Sequence, residues 1–209
     1  MGGLGLAGVA LIVAGALGKF SDAAPLPSKQ FSDVTATAQP ASAVAVKPLP
    51  ADGQTTGVAV IDPASMGPNR ILIPSLGIYA EIIPVPVDNG ALVIPDQPRQ
   101  VGLDESGPPP VAQQGSTLIA GHVNMAGTQG ALANLAGIQP GARIVVTDAS
   151  RVRTDWAVDG LTVVRKAALP TGLDRGDGPR RLVVVTCGGQ VHNGQYDMNV
   201  IAYAHPVNG

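Results

Sequence analysis

Apolar residues run through this chain in short stretches, each stopped by proline, glycine or an Asn/Asp–Gly pair. That pattern predicts strands joined by turns. Arg70-Ile71-Leu72-Ile73-Pro74 reads as a short strand ended by proline, and Tyr79 to Val87 and Ala91 to Ile94 follow around the turn Asp88-Asn89-Gly90. Thr117 to Ala120 is a buried-looking strand that ends at Gly121-His122. Gly130 to Ala136 places Leu132, Leu135 and Ala136 at helical spacing and predicts one short helix. Arg143 to Thr147 is the next strand, and Thr154 to Val164 predicts a hairpin around Asp159-Gly160. Leu182 to Thr186 is an apolar, β-branched run, and Asn199 to Ala204 is the last strand. About eight short strands with one or two short helices predict a mainly all-β domain, a closed eight-stranded β-barrel, over residues 69–206. Gly102 to Gln114, rich in proline and glycine, reads as a rim loop, and Asp104, Glu105 and Asp177 as solvated loop charges.

Upstream of that domain the pattern changes twice. Gly2 to Gly18 carries no charged side chain, and Lys19 ends the run. As a helix it spans roughly 26 Å, slightly less than a ~30 Å hydrocarbon core. A membrane anchor, a signal-peptide apolar region and a buried core helix all fit; the anchor is favoured, since no small-x-small cleavage site follows directly. Residues 1–20 are therefore expected to be an anchor or signal segment, which places the remainder on the outer face of the cell membrane. Residues 21–68 are rich in Ala, Pro, Ser, Thr and Gly and read as a flexible linker, with too little apolar surface to offset the entropy of ordering.

Composition narrows the function. Charged residues make up 13% of the chain and the formal net charge is −2, so there is no basic field for nucleic acid. There is one cysteine, Cys187, which excludes an intramolecular disulfide framework and a multi-thiolate zinc site. No His-x-x-His spacing joins the three histidines, so no metal or other cofactor is expected.

Cys187 sits at the end of the strand-like run Arg181-Leu182-Val183-Val184-Val185-Thr186, and Gly188-Gly189 follow it. A strand end holds a nucleophile rigidly while leaving it reachable, and glycines let backbone N–H groups approach a developing oxyanion. His122 ends another apolar strand, Leu118-Ile119-Ala120-Gly121. A free thiol is mostly protonated at neutral pH, and a nearby imidazole is the usual means of activating it. His192, close to Cys187 in sequence, reads as a solvated loop residue, and His205 as an uninvolved one near the C-terminus.

These segments, from Arg70-Ile71-Leu72-Ile73-Pro74-Ser75-Leu76-Gly77-Ile78 through Ala120-Gly121-His122-Val123 to Thr186-Cys187-Gly188-Gly189, resemble the sortases, with the flavour of the class E and F enzymes of actinobacteria. The resemblance covers residues 69 to 204. It implies a barrel enzyme that cleaves an LPxTG-like sorting signal near the C-terminus of a secreted protein. Cys187 would carry the acyl group as a thioester, and His122 would protonate the leaving amine. An amine of a peptidoglycan precursor would then resolve the thioester. It also implies a last-strand arginine that binds substrate or oxyanion, yet Leu182 to Gly209 holds no Lys or Arg. Asn199 is the candidate donor in its place, with Thr186 and Gly188 as further oxyanion or substrate-binding candidates, while Asp197 on the same strand face would repel an oxyanion. Arg165, Arg175 and Arg180 are the alternative cations. A barrel that has lost turnover and only binds peptides is the competing expectation.

Overall fold

The computed structural model describes residues 61–192 and 194–207. The expected anchor (1–20) and residues 21–60 of the expected linker lie outside the described residues. The described residues of the expected linker, 61–68, pack on the barrel: Met66 is buried against Leu72 and Val145, with Ile61 beside them, and the Thr147 hydroxyl donates to Gly67 O at 2.7 Å.

Eight strands close into a barrel: β1 (Arg70–Ile73), β2 (Ile78–Val85), β3 (Gln100–Asp104), β4 (Ser116–Gly121), β5 (Arg143–Thr147), β6 (Arg153–Arg165), β7 (Arg181–His192) and β8 (Gln195–Pro206). Their order around the barrel is β1-β2-β3-β4-β7-β8-β6-β5, with β5 returning to β1. The pairs β2–β3 and β4–β7 are parallel; the others are antiparallel. Two small ribbons stand apart, Val87–Asp88 with Ala91–Leu92 and Asn124–Met125 with Thr128–Gln129.

The interior is filled by one alternate set of side chains from each strand, among them Ile71, Ile119, Ile144, Trp156, Leu182, Val184 and Ala202. β2 shows the resulting alternation of buried and exposed positions. β4 is buried at every position, and β7 from Leu182 to Cys187, because their outer faces are covered as well. Leu118, Ala120, Val183, Val185 and Ile201 pack there against Leu92 and Ile94 of the β2–β3 connection and Leu169 and Leu173 of the β6–β7 connection. Strands covered on both sides read as continuous apolar runs, which is how these two stood out in the sequence.

Four sequence expectations are corrected. Asp159-Gly160 is not a hairpin turn: β6 is a single 13-residue strand whose register against β8 shifts between Val158 and Gly160. Residues 100–104 of the expected rim region form a barrel strand, and Asp104 is buried at its end, its Oδ1 accepting from the Ser106 N–H and hydroxyl at 2.9 and 2.6 Å. The helix expected over Gly130–Ala136 is a run of turns with one 3-10 turn at Leu135–Gly137. β7 does not stop at Thr186 but continues to His192, past a register shift between Gly188 and Val191.

The exit from β4 is held tightly. His122 O accepts from Leu132 N at 3.0 Å, Val123 O accepts from Gly130 N at 2.8 Å, and a Cβ on Gly130 would lie 2.0 Å from His122 O. Only glycine lets the returning chain pass so close. Gly130→Ala is expected to lower the urea midpoint by an amount equivalent to about 1–3 kcal/mol, as overpacking does. Gly176→Ala, where an added Cβ meets nothing within 4 Å, should leave it in place. Equal midpoints for the two variants would contradict this account of the β4 exit.

Candidate active site

The parallel register of β4 and β7 opposes Thr186 to Gly121 and Val185 to Ala120. Paired residues of adjacent strands project to the same face, so the next residue on each strand, Cys187 and His122, leaves on the opposite face from Thr186. That face is the outer one, shared with Val185 and Ala120. Cys187 and His122 line one cavity of about 100 Å³, with Asn124, Lys166, Gln195 and Tyr196 around them. Its rim is tied by Asn124 Nδ2, which donates to Tyr196 Oη at 2.7 Å across the gap between the β4 exit and the start of β8.

Cys187 is 7% exposed. Burial pushes its thiol pKa above the ordinary value, because a thiolate loses hydration there; the positive charge of Lys166 pulls the other way. His122 Nε2 lies 3.1 Å from Pro95 O on the β2–β3 connection. Donation from Nε2–H to that carbonyl assigns the proton of the neutral ring to Nε2 and leaves Nδ1 as its basic nitrogen. Thiol and imidazole thus share a cavity, but among the described residues no hydrogen bond joins them.

Asn199 stands directly opposite Cys187 on β8, on the same face. It is fully buried, and neither Nδ2 nor Oδ1 has a hydrogen-bond partner among the described residues. A buried amide left so costs about 1–3 kcal/mol, which the fold has to offset elsewhere. Asp197, two residues earlier, is drawn away: its Oδ1 accepts from Gln190 N at 2.7 Å, and the same oxygen would sit 2.2 Å from a Cβ at Gly189. Gly189, at φ +78°, makes the turn that forms this bulge. Asp197 does not line the cavity.

The other sequence candidates fall elsewhere. Thr186 turns inward and its hydroxyl donates to Gly121 O at 2.8 Å, bracing β7 to β4 at the level of the site. A Cβ on Gly188 would point inward, 2.6 Å from Val200. Arg175 and Arg180 line a separate cavity of about 710 Å³ around Arg181, Tyr203 and Asp159, at the other end of β7. Arg165 is exposed and lines neither cavity. His192 is exposed near Asp197, and His205 is bonded to Asp159. Among the described residues no group of three His, Cys, Asp or Glu side chains is placed to hold a metal ion.

Lys166 was missed because it belongs to no motif. Its place follows from the end of β6: Val164 opposes Asn199, and Asn199 opposes Cys187, so the turn that opens directly after Arg165 starts beside the site.

The sequence matches the sortase domain family model over residues 71–207. No curated protein sequence matches the chain. Among solved structures it is similar to the pilus island 1 sortase C2 of Group B Streptococcus, at 16% identity and a TM-score of 0.53 over 66% of this chain and 73% of the other. Sortase A of Corynebacterium diphtheriae matches at 18% identity and 0.51, over 66% and 60%. Sortase C-1 of Actinomyces oris matches at 20% and 0.51, over 67% and 73%. At these identities the structures speak for the fold, the barrel described above. The family match covers about two-thirds of the sequence and includes both Cys187 and His122, which line the cavity. The chain belongs to the sortase family of cysteine transpeptidases.

Proposed function

We propose that this protein is a membrane-tethered transpeptidase that cleaves an LPxTG-like sorting signal of a secreted protein and passes the acyl group to an amine of a cell-wall precursor. Cys187 is the nucleophile and His122 the proton carrier. The observation that carries this reading is the β4–β7 register, after which the chain's one thiol and an imidazole both line one cavity. The Cys187 thiol gives its proton to the free nitrogen of His122 as its sulfur adds to the carbonyl carbon of the scissile Thr–Gly bond, breaking S–H, forming C–S and moving the carbonyl π pair onto oxygen. Collapse of that adduct breaks C–N, and the departing amine takes a proton from the His122 imidazolium, leaving a thioester. The incoming amine gives a proton back to His122 as it attacks the thioester, and the thiolate departs. His122 needs both roles, and an imidazole with one nitrogen on a backbone carbonyl keeps its other nitrogen for them.

The competing reading, a surface module that binds sorting peptides without turnover, draws on the buried, protonated thiol and on the absence of Lys and Arg from β8. Intact-mass spectrometry of the domain with LPxTG-like peptides and an amine separates the two. A peptide-sized adduct on Cys187, absent from Cys187→Ala and discharged by amine, is the expected result; measurable peptide binding without any adduct would support the binding module.

Tethering rests on the uncharged run Gly2–Gly18 and the Ala/Pro-rich segment after it, which together would give the barrel reach over the outer membrane surface. Among the described residues no helix is long and apolar enough to cross a membrane. The full chain expressed in a bacterial host is expected to sediment with membranes and to remain there after a high-salt wash. Recovery from the medium as a species starting after Ala24 would contradict this.

A further inference from the structure

A transpeptidase that forms a tetrahedral adduct must meet the negative charge that develops on the carbonyl oxygen, and donors fixed in a water-poor site do this best. The cavity at Cys187 contains the means. Lys166 is the only Lys, Arg, Asp or Glu side chain lining it among the described residues. It is also the sole lysine after Lys47; every other Lys or Arg beyond that point is an arginine. It is partly buried at the start of the turn Lys166–Ala168 that opens the β6–β7 connection, and among the described residues its ammonium has no ion-pair partner. It thus brings to the thiol a positive charge that no carboxylate among the described residues neutralises.

The second observation concerns Asn199. Its amide is fully buried, without partners among the described residues, and one strand away from Cys187 on the same face. It is not among the residues that line the cavity, so a carbonyl bound at Cys187 reaches it only by displacing the packing between them. Together the two groups flank the thiol from the β6–β8 side, with His122 on the β4 side. The one carboxylate on β8 that would neutralise the ammonium, Asp197, is held by Gln190 N in the bulge.

We infer that Lys166 and Asn199 together form the oxyanion site, the ammonium supplying the charge and the Asn199 Nδ2–H a neutral donor, in place of an arginine on β8. This rests on the transpeptidase reading above and adds to it the groups that hold the reacting carbonyl. When C–S forms, the carbonyl π pair moves to oxygen and is met by Lys166 Nζ and Asn199 Nδ2; when C–N breaks, the carbonyl re-forms and both are released. A lysine suits this position because a compact ammonium on a flexible stem can follow the oxygen, whereas a guanidinium needs a planar, two-point partner.

The test is a pair of measurements on the wild type and on Lys166→Met, Lys166→Arg and Asn199→Leu. The first is the single-turnover rate of thioester formation with an LPxTG-like peptide. Lys166→Met is expected to slow it by about 10²–10³, the loss usual for one oxyanion donor, with Lys166→Arg recovering part of the rate. Asn199→Leu removes the unpartnered amide at near-constant volume, so its urea midpoint is expected to rise while acylation slows. The second measurement needs no peptide turnover: the ratio of alkylation rates of Cys187 by anionic iodoacetate and neutral iodoacetamide. That ratio should fall several-fold in Lys166→Met and hold in Lys166→Arg. An unchanged ratio would overturn the placement of Lys166 at the thiol. A fallen ratio with undiminished acylation would overturn its part in the reaction. Asn199→Leu that is more stable and equally fast would remove Asn199 from the site. A wild type that never acylates would defeat the transpeptidase reading, and with it the oxyanion role; the alkylation ratio would then decide only whether the ammonium faces the thiol.

Discussion

Parallel pairing of β4 with β7 leaves little freedom in where the reactive groups sit: Thr186 opposes Gly121, so Cys187 and His122 follow on the same face at the same level. A parallel neighbour has to be reached by a long crossover, and the crossovers of both parallel pairs, β2–β3 and the one that leads into β7, are used here. The β6–β7 connection and the β2–β3 connection fold over the outer face, bury it, and each brings a polar group to the cavity. Pro95 gives the carbonyl that engages His122, and Lys166 gives a positive charge that favours the Cys187 thiolate. A one-residue slip between β4 and β7 would turn every one of these side chains to the wrong side of the sheet. The Thr186 hydroxyl on Gly121 O guards against that slip at the place where it matters.

The same burial that fixes the cavity works against ionisation of its thiol. A thiol closed in by apolar neighbours is harder to ionise, and here the opposing influence is a single ammonium rather than a bonded imidazole. Asn199 adds a second local cost, an amide buried without partners. Unfavourable features gathered within one strand spacing of a cysteine are what a site built for a transient charge would show, since each is relieved only when that charge appears.

The barrel was readable because its chemistry is local. Leu182 to Thr186 and Thr117 to Ala120 are apolar on both faces, while Ile73-Pro74 marks the end of β1 and Asn89-Gly90 the turn of a small ribbon without help from the rest of the chain. What failed was non-local. Gln100 to Asp104 carries glycine and polar residues and becomes a strand through pairing with β2 and β4, both made elsewhere in the sequence. Asp159-Gly160 carries hairpin chemistry, but long pairing with β8 on both sides absorbs it as a bulge. In the site, Cys187 and His122 were visible as strand-end residues of complementary type. Whether they meet depends on the β4–β7 register, which no local pattern states. Lys166 was invisible for the same reason: its place is set by two successive strand pairings, and its neighbour Arg165 carries the same charge to a different face.

Nitrogen-15 NMR of the three imidazoles in the folded domain, before and after a small methylthio group is placed on Cys187, tests most directly whether the register brings thiol and imidazole together. The account predicts that the His122 ring resonances shift on modification, while those of His192, near Asp197, and His205, bonded to Asp159, stay in place. A His122 ring that does not respond would contradict the shared cavity and the mechanism built on it.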